Sequence, residues 1–556
     1  MATALCFVQG LLGRIPTALR ILKELLRRAP TASSHTSVTL VTVPTDILHI
    51  ILQLLYDTSP AEEERERYDH EICKGEYLLA LSVTCRYMRA QTLPWIFREV
   101  YNWSRPGGGI WPETLWPFFM SVHIRDQSVR HPAHIALSPE LCSVLSGMRS
   151  LTTVTVRLEA SVPGELLGAL SLAPCLTFLE IHQARFDGTA PSSPLPFATL
   201  KGLVVCISGF RGVVRSDTID RRREVANVVA LLKSFNHSLT MLQISGDLLS
   251  PDFLSLTWLH LRSFIVTEHT PTPYIAVPEL VSKMPALRDL SILFSADLSR
   301  DRDAGEMYPP FKLGTPGGGL LTHRSPLLTT ITLSNLEPAD PIFSQLPHSL
   351  ESLHLLAMQD GYIPGPSSPG SLWEAPFTLT TIPIALESIS HLQELTALSL
   401  TLDDFATADT ILRIASVFPR LRFLQLGHAT YSHGHQFCFD VRDAYMIQDS
   451  ILHALQCFSR LTHLRISLDF FERAIDAQDG PQGRAAQWLL EGLPGLCTVA
   501  FSWGRSWDDY GFENIIWRVW DRSVFLLPRA PPAFEPEPAE DVVYGVAIPP
   551  REQRST

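Results

Sequence analysis

The segment SHGHQFC brings together side chains that could do chemistry. His433, His435 and Cys438 are metal ligands by type. A structural zinc site needs four ligands, usually supplied as two pairs, and no second pair lies near this segment in the sequence. We therefore expect a polar loop here, with neither a metal site nor a bound cofactor.

Two glycine-rich segments could in principle cradle a phosphate. They are GTPGGG at residues 314–319 and RPGGG at residues 105–109, and both lack the Lys-Ser/Thr pair that a phosphate-binding loop requires. The chain also has no nucleophile elbow, no HExxH and no cysteine-protease signature. These observations predict a protein that is not an enzyme. An enzyme whose site leaves no motif is the alternative.

An aromatic cluster lies near the C-terminus, over residues 502–520. It contains Trp503, Trp507, Tyr510, Trp517 and Trp520. An array of repeats needs a terminal cap that covers its last apolar face, and large aromatic side chains suit that purpose. We predict such a cap here, and a ligand-stacking site is the alternative.

Composition narrows the possible function classes. The chain has 556 residues, a formal net charge of −12 and a hydrophobic fraction of 46%. The apolar content is sufficient for a large core, and the negative charge argues against a nucleic-acid partner, which usually requires a basic face. Nine scattered cysteines form no CxxC pair, and no apolar run is long enough for a membrane span. These features predict reduced thiols and a cytoplasmic or nuclear location.

Residues 1–38 form a basic amphipathic segment, in which Glu24 is the one acid among five Lys and Arg side chains. We expect a helix that packs on the rest of the chain. A mitochondrial targeting signal is the alternative, because such signals are also amphipathic and rich in arginine.

A repeated pattern, L-x-x-L-x-L with conservative replacements, dominates residues 145–527. One unit supplies a short strand and a returning segment, and stacked units bury a continuous core, so the pattern predicts an irregular leucine-rich-repeat solenoid. At the unit beginning at residue 256, the alternative LRSFIV at residue 261 fits equally well. The units begin at residues 151, 176, 200, 239, 256, 287, 328, 350, 395, 421, 461 and 496.

The alternation of a strand predicts which side chains of each unit face away from the core. These are the two residues that flank the second L, and they line the inner face of the solenoid, which is its usual binding surface. Aromatic and Arg side chains dominate binding hot spots, so we expect a protein target to contact Phe423, Gln425, His463 and Arg465. The alternative is that this row of side chains is merely solvated.

Residues 39–102 resemble the F-box, the helical motif that docks on the Skp adaptor of cullin-RING ubiquitin ligases. The resemblance rests on VPTDIL at residues 43–48, IILQLL at residues 50–55 and LLALSVTCRYMRAQTLPWIFREV at residues 78–100. Val43 replaces the usual leading Leu, and a charged insertion occupies about residues 56–76. With the irregular repeats, the chain looks like the F-box families of mushroom-forming fungi.

The resemblance implies an α/β protein in which an F-box-like helical module is followed by an irregular leucine-rich-repeat solenoid. It implies a substrate-recognition subunit of a cullin-RING ubiquitin ligase, with an unknown protein as substrate. A repeat scaffold without a ligase role is the alternative. Residues 103–144 would connect the two parts, and residues 528–556 are predicted to form a disordered acidic, Pro-rich tail. The adaptor contacts implied by the resemblance are Pro44, Ile47, Leu48, Ile51, Leu52, Leu55, Leu79, Val83 and Trp95.

Regular leucine-rich repeats also place Asn or Cys three residues beyond the last L, where it bonds to the backbone of the turn. Six units of this chain have other residues at that position, so we expect their turns to be held by other means. The six residues are Ala184, Asp247, Ser295, Met358, Asp403 and Ala429.

Overall fold

The computed structural model describes most of the repeat region and part of the N-terminal module. The described residues are 48, 49, 52, 53, 56, 78, 81, 82, 86–101, 113–125, 139–158, 161–182, 184–186, 195, 197–206, 221–268, 276–294, 313, 314, 321, 325–357, 377–402, 405–428, 449–468, 481–507, 513–525 and 540–542. The chain divides into two compact units, residues 1–200 with 529–537 and residues 201–528 with 538–556.

The described residues contain sixteen strands. In the first unit, β1 to β4 are parallel neighbours. In the second unit, β5 to β14 are parallel neighbours, and β15 and β16 add antiparallel strands at the C-terminal edge. The strands are β1 (Glu99–Tyr101), β2 (Ser121–Arg125), β3 (Thr153–Arg157), β4 (Phe178–His182), β5 (Gly202–Cys206), β6 (Met241–Ser245), β7 (Ser263–Glu268), β8 (Asp289–Phe294), β9 (Thr330–Ser334), β10 (Ser352–Leu356), β11 (Ala397–Leu402), β12 (Phe423–His428), β13 (His463–Ile466), β14 (Thr498–Trp507), β15 (Glu513–Asp521) and β16 (Glu540–Val542).

Short helices lie between many of these strands. Residues 449–455 are also helical, and 3-10 turns cover Glu113–Phe118, Gly246–Leu248 and Pro251–Ser255. The helices are α1 (Arg86–Ile96), α2 (Pro139–Gly147), α3 (Gly164–Ser171), α4 (Arg221–Lys233), α5 (Val277–Val281), α6 (Ile342–Gln345), α7 (Ile382–Ile389), α8 (Ala408–Val417), α9 (Pro481–Gly492) and α10 (Arg522–Phe525).

The three L positions of the motif form the core, as the sequence predicts. In the repeat of β11, for example, Leu395, Leu398 and Leu400 are almost completely buried. Burying one such side chain contributes roughly 1.5–3 kcal/mol, and the repeat of β11 adds three of them. The parallel ladder and the buried motif residues together make this region a leucine-rich-repeat solenoid.

The residue after the first L, here named the lead residue, connects each repeat to the next. Its backbone carbonyl accepts two N–H groups, from the lead residue of the next repeat and from the residue after it. The carbonyl of Arg422, for instance, accepts from Thr462 at 2.9 Å and His463 at 2.9 Å. The lead residues that accept in this way are Arg98, Met120 and Thr152 in the first unit, and Lys201, Thr240, Arg262, Arg288, Thr329, Glu351, Thr396, Arg422 and Thr462 in the second.

Threonine is frequent among the lead residues for a structural reason. The hydroxyl of Thr462 donates to the Arg422 carbonyl at 3.1 Å, which is the same oxygen that accepts the two backbone bonds. Thr152, Thr177, Thr240, Thr329 and Thr396 donate to the preceding lead carbonyl in the same way. The LT pair that opens so many repeats is therefore part of the connection between repeats.

Two differences from the predicted repeats concern register and extent. The unit predicted at residue 256 is wrong, because β7 follows the alternative register with Leu261, Phe264 and Val266 in the core. Trp258 is fully buried beside Phe253, with ring centroids 5.1 Å apart. Strands β1 and β2 also precede residue 145, where the sequence predicts that the repeats begin.

One repeat has an asparagine directly after its strand, one position before the asparagine of regular leucine-rich repeats. Asn335 lies two residues beyond Leu333 and adopts a left-handed backbone conformation with φ of 52°. Its Nδ2 donates to the Phe294 carbonyl at 2.9 Å. Asn tolerates this conformation better than most residues do, so the side chain both permits the turn and bonds to the preceding repeat.

The helical residues ahead of β1 form a compact cluster of their own. Leu48, Leu52, Tyr56, Leu78, Met88 and Ile96 make its core, and Leu81, Tyr87, Trp95 and Phe97 pack against it half-buried. Residues far apart in sequence also bond across the cluster: the Arg98 guanidinium donates to Gln53 Oε1 at 3.3 Å.

An antiparallel strand covers the C-terminal edge of the ladder. Strand β15 pairs antiparallel with β14, and Trp517 and Trp520 are buried. The Arg522 guanidinium donates to the carbonyls of Leu490, Leu493 and Leu496, and its backbone N–H donates to the Cys497 carbonyl at 2.9 Å. Arg522 thus takes the place that the next repeat would occupy.

Candidate binding surface on the inner face

The inner face carries two rows of side chains, which the parallel pairing aligns from strand to strand. In the second unit, one row contains Ser352, Ala397, Phe423 and His463 on β10 to β13. The other row contains His354, Ser399, Gln425 and Arg465 on the same strands. Side chains at matching positions of adjacent strands lie close enough to act together.

Burial along these rows divides the inner face into a covered middle and more open ends. Thr332, Ser352, His354, Ser399 and Gln425 are buried on β9 to β12. The side chains on β6 to β8 are half-buried, apart from Ser291, and so are the inner-face residues of β13. The middle of the face is therefore less open than the sequence suggests.

The predicted target-binding residues lie together where the inner face becomes more open. The pairing sets Phe423 opposite His463 and Gln425 opposite Arg465. The Arg465 guanidinium lies over the Phe423 ring, 5.7 Å from its centroid. His463 and Arg465 are half-buried, whereas Phe423 is 9% exposed and Gln425 6% exposed. His463 and Arg465 are therefore accessible to a partner, whereas Phe423 and Gln425 are largely buried and pack against them.

Gln425 carries an unmet hydrogen-bonding requirement at this place. Its Oε1 atom is buried and accepts no hydrogen bond from any residue that the structure describes. An acceptor left in this state costs about 1–3 kcal/mol, because it has lost its water without gaining a donor. A donor from a bound partner would recover part of that free energy.

The surroundings of His463 favour its neutral form. Burial lowers its pKa below the usual value, and the positive charge of Arg465 lowers it further, while Asp521 opposes both effects. A neutral imidazole can both donate and accept a hydrogen bond, so it adds a versatile polar contact beside a permanent cation.

A second polar group occupies the covered middle of the face. His354 Nε2 lies 2.8 Å from Ser352 Oγ, and its Nδ1 lies 2.8 Å from Ser399 Oγ. Burial lowers the pKa of His354 to about 4, so the ring is neutral at physiological pH. His354 is not among the binding residues that the sequence predicts, because a single histidine in a strand does not reveal which side chains of the neighbouring strands it will contact.

The first unit has a charged group on its own inner face. Glu180 Oε2 accepts from Thr155 Oγ1 at 3.1 Å and lies 3.3 Å from His182 Nε2. Burial would raise the pKa of Glu180, but the hydrogen bonds and charge of His182, with Thr155 and His123, lower it overall. The carboxylate is therefore held in its charged form.

The residues implied as adaptor contacts are described only in part. Leu48 and Leu52 are fully buried in the helical cluster, so in this structure they have no surface to offer an adaptor. Trp95 is half-buried, and its ring lies 6.1 Å from Tyr56 and 5.5 Å from the Arg98 guanidinium carbon. The remaining implied contacts, Pro44, Ile47, Ile51, Leu55, Leu79 and Val83, lie outside the described residues.

Several other predictions concern parts of the chain outside the described residues. These parts are the SHGHQFC segment, residues 1–38, the charged insertion and the tail apart from β16. Within the described ranges, no cluster of three or more His, Cys, Asp or Glu side chains could hold a metal ion, and no helix could cross a membrane. Among the described residues, Cys175, Cys206, Cys457 and Cys497 form no disulfide.

Comparison with known proteins returns solved structures alone. No family model and no curated protein matches the chain. A leucine-rich repeat-containing protein, LegL7 from Legionella pneumophila, is 15% identical with a TM-score of 0.33, covering 61% of this chain and 98% of its own. An internalin from Listeria monocytogenes is 9% identical with a TM-score of 0.30, covering 66% and 91%. CroV588, a circular leucine-rich-repeat protein, is 12% identical with a TM-score of 0.24, covering 58% and 35%.

Proposed function

We propose that this chain is a protein-interaction scaffold, and that a protein partner contacts its inner face at β12 and β13. The observation that carries the proposal is the patch itself: a half-buried arginine lies on an aromatic ring, beside a buried amide oxygen without a donor. Arginine and aromatic side chains are the residues that most often dominate protein interfaces. An amide that lacks a donor favours a partner that brings one.

The accessible part of the patch suggests where specificity arises. Arg465 can donate several hydrogen bonds in a fixed geometry, which suits carboxylate or backbone carbonyl acceptors on a partner. His463 adds a neutral donor or acceptor next to it. Phe423 holds the guanidinium in place, so less conformational entropy is lost when the partner binds.

The test is affinity purification with the wild-type chain and two variants as bait. We expect Arg465→Glu to lose partners that the wild type retains, because charge reversal at a contact both removes donors and repels an acceptor. Arg420→Glu is the control, since Arg420 is an exposed arginine that pairs with Glu394 on the surface. Matching thermal melting of the three proteins would exclude unfolding. Retention of every partner by Arg465→Glu would contradict this placement of the contact.

We propose further that the scaffold is a substrate-recognition subunit of a cullin-RING ubiquitin ligase. Support comes from the resemblance of residues 39–102 to the F-box and from the helical cluster ahead of β1. In this mechanism the cluster holds a Skp-family adaptor and the repeats hold the target. Ubiquitin transfer is then accelerated by proximity, while other subunits perform the chemistry.

Co-purification with a Skp-family adaptor tests this role. Since Leu48 and Leu52 are core residues, acidic substitutions there would unfold the cluster and report nothing specific. Trp95→Ala is more informative when it is compared with Phe97→Ala, because both aromatic side chains pack half-buried on the same cluster. We expect Trp95→Ala to weaken adaptor binding more than Phe97→Ala does. Equal losses in the two variants, or wild-type protein that binds no adaptor, would contradict the ligase role.

A further inference from the structure

A cavity of about 270 Å³ opens beside the lead residues of β5, β6 and β7, away from the inner-face patch. It is lined by Lys201, Ser238, Thr240, His260, Arg262 and Ala286. Three of these side chains are basic and exposed, two are hydroxyls and none is acidic. Lys201 and Arg262 give the cavity a positive charge. The chain as a whole has a net charge of −12, so the charge of the cavity is opposite in sign to that of the chain.

The basic side chains around the cavity have no structural task. The backbone carbonyls of Lys201 and Thr240 connect successive repeats, which leaves the lead side chains free to vary. Neither Lys201 nor Arg262 forms an ion pair with any residue that the structure describes. The next lead residue, Arg288, is also an exposed arginine. Unpaired cations around a concavity attract anions, because opposite charge there raises the local concentration of a negative ligand.

We propose that this cavity and its basic rim bind an acidic peptide segment of a protein partner in an extended conformation. Adjacent strands are about 4.8 Å apart, so the lead residues of β5 and β7 are separated by about 10 Å. That distance is the span of about three residues of extended peptide. Carboxylates three residues apart therefore match Lys201 and Arg262. The hydroxyls of Ser238 and Thr240 already donate to the carbonyls of Phe235 and Lys201, so the two cations supply the recognition of the peptide.

This site is separate from the patch at β12 and β13, and it does not depend on the function proposed above. Binding of a labelled oligoglutamate peptide, followed by fluorescence anisotropy at low salt, measures it directly. An oligoglutamine peptide of the same length is the neutral comparison. We expect the double variant Lys201→Glu, Arg262→Glu to bind oligoglutamate about tenfold or more weakly than wild type, since it loses and reverses two exposed ion pairs.

Arg422→Glu is the matched control, because Arg422 is an exposed arginine at the same motif position in the repeat of β12. We expect Arg422→Glu to bind oligoglutamate as wild type does. Equal weakening by the control would show a general charge effect and overturn the proposal. Wild-type protein that binds oligoglutamate no better than oligoglutamine would overturn it too. Displacement of the peptide by equimolar inorganic phosphate would show that the cavity takes a small free anion instead.

Discussion

Acid should destabilise the second unit through His354. The folded pKa of this histidine is about 4, against an ordinary value of 6.5, and burial is the cause. Below pH 6.5, His354 takes up a proton in the unfolded chain but stays neutral in the folded chain. The stability associated with the neutral ring is therefore complete above that value and is lost as the pH falls towards 4. The full depression corresponds to about 3 kcal/mol, and about 2 kcal/mol of it is lost between about pH 7 and about pH 5.

His354→Gln isolates this effect. Glutamine can donate and accept hydrogen bonds at Ser352 and Ser399 but does not titrate, so the variant keeps the polar contacts and loses the proton linkage. At neutral pH we expect it to be less stable than wild type by about 1 kcal/mol, because the amide fits the two serines less well. At about pH 5 the order should reverse or the difference vanish, since the wild type has by then lost about 2 kcal/mol.

Urea unfolding of both proteins at the two pH values provides the measurement, and an NMR titration of the histidine rings provides the folded pKa. The difference between wild type and variant cancels the titration of the other groups. If both proteins lose the same stability between the two pH values, the burial of His354 does not control its protonation, and the reasoning fails.

Three further predictions concern the core, the asparagine turn and the C-terminal edge. Leu398→Ala should cost about 2–5 kcal/mol of unfolding free energy, because the side chain is fully buried, while Leu412→Ala at an exposed position of α8 should cost less than about 1 kcal/mol; thermal melting distinguishes them. Asn335→Ala should cost about 1–3 kcal/mol, and Asn335→Gly less, since glycine accepts the φ of 52° at no strain although it too loses the bond to Phe294; urea midpoints test the order. Arg522→Lys should accelerate amide hydrogen exchange in β14 and β15, because one ammonium cannot reach three carbonyls, and unchanged exchange would contradict the capping role.

The sequence predicts the core positions because leucine spacing and strand alternation act within one repeat. Leu398 and Leu400 are recognisable without knowledge of any other part of the chain. The start of the ladder is harder to recognise, since Phe97 and Phe119 precede β1 and β2 where the pattern has leucine. The register of β7 could not be chosen from spacing, because the overlapping matches at residues 256 and 261 share Leu261 and fit the pattern equally well; the structure buries Phe264 and exposes Leu259.

Features that join different repeats were less accessible to sequence analysis. Gln425 and Phe423 satisfy the rule for inner-face residues, yet their burial depends on what surrounds them in three dimensions. The partners of His354 come from positions on its own strand and the next strand, whose alignment follows from the ladder. The threonine at so many lead positions was a visible signal, and its meaning follows once the shared carbonyl is known.

The shared lead carbonyl has a consequence for how such a chain can change over evolutionary time. Successive repeats are fixed to one another by one backbone oxygen and a short strand, and the length of the returning segment does not enter that connection. Leu328 and Leu350 are close in sequence, whereas Leu287 and Leu328 are far apart, yet both pairs stack in the same way. Insertions in the returning segments are therefore tolerated, and a longer loop costs only about 0.6 kcal/mol for each doubling of its length. A repeat can therefore acquire a new loop, and with it a new partner, while the connections between repeats stay unchanged.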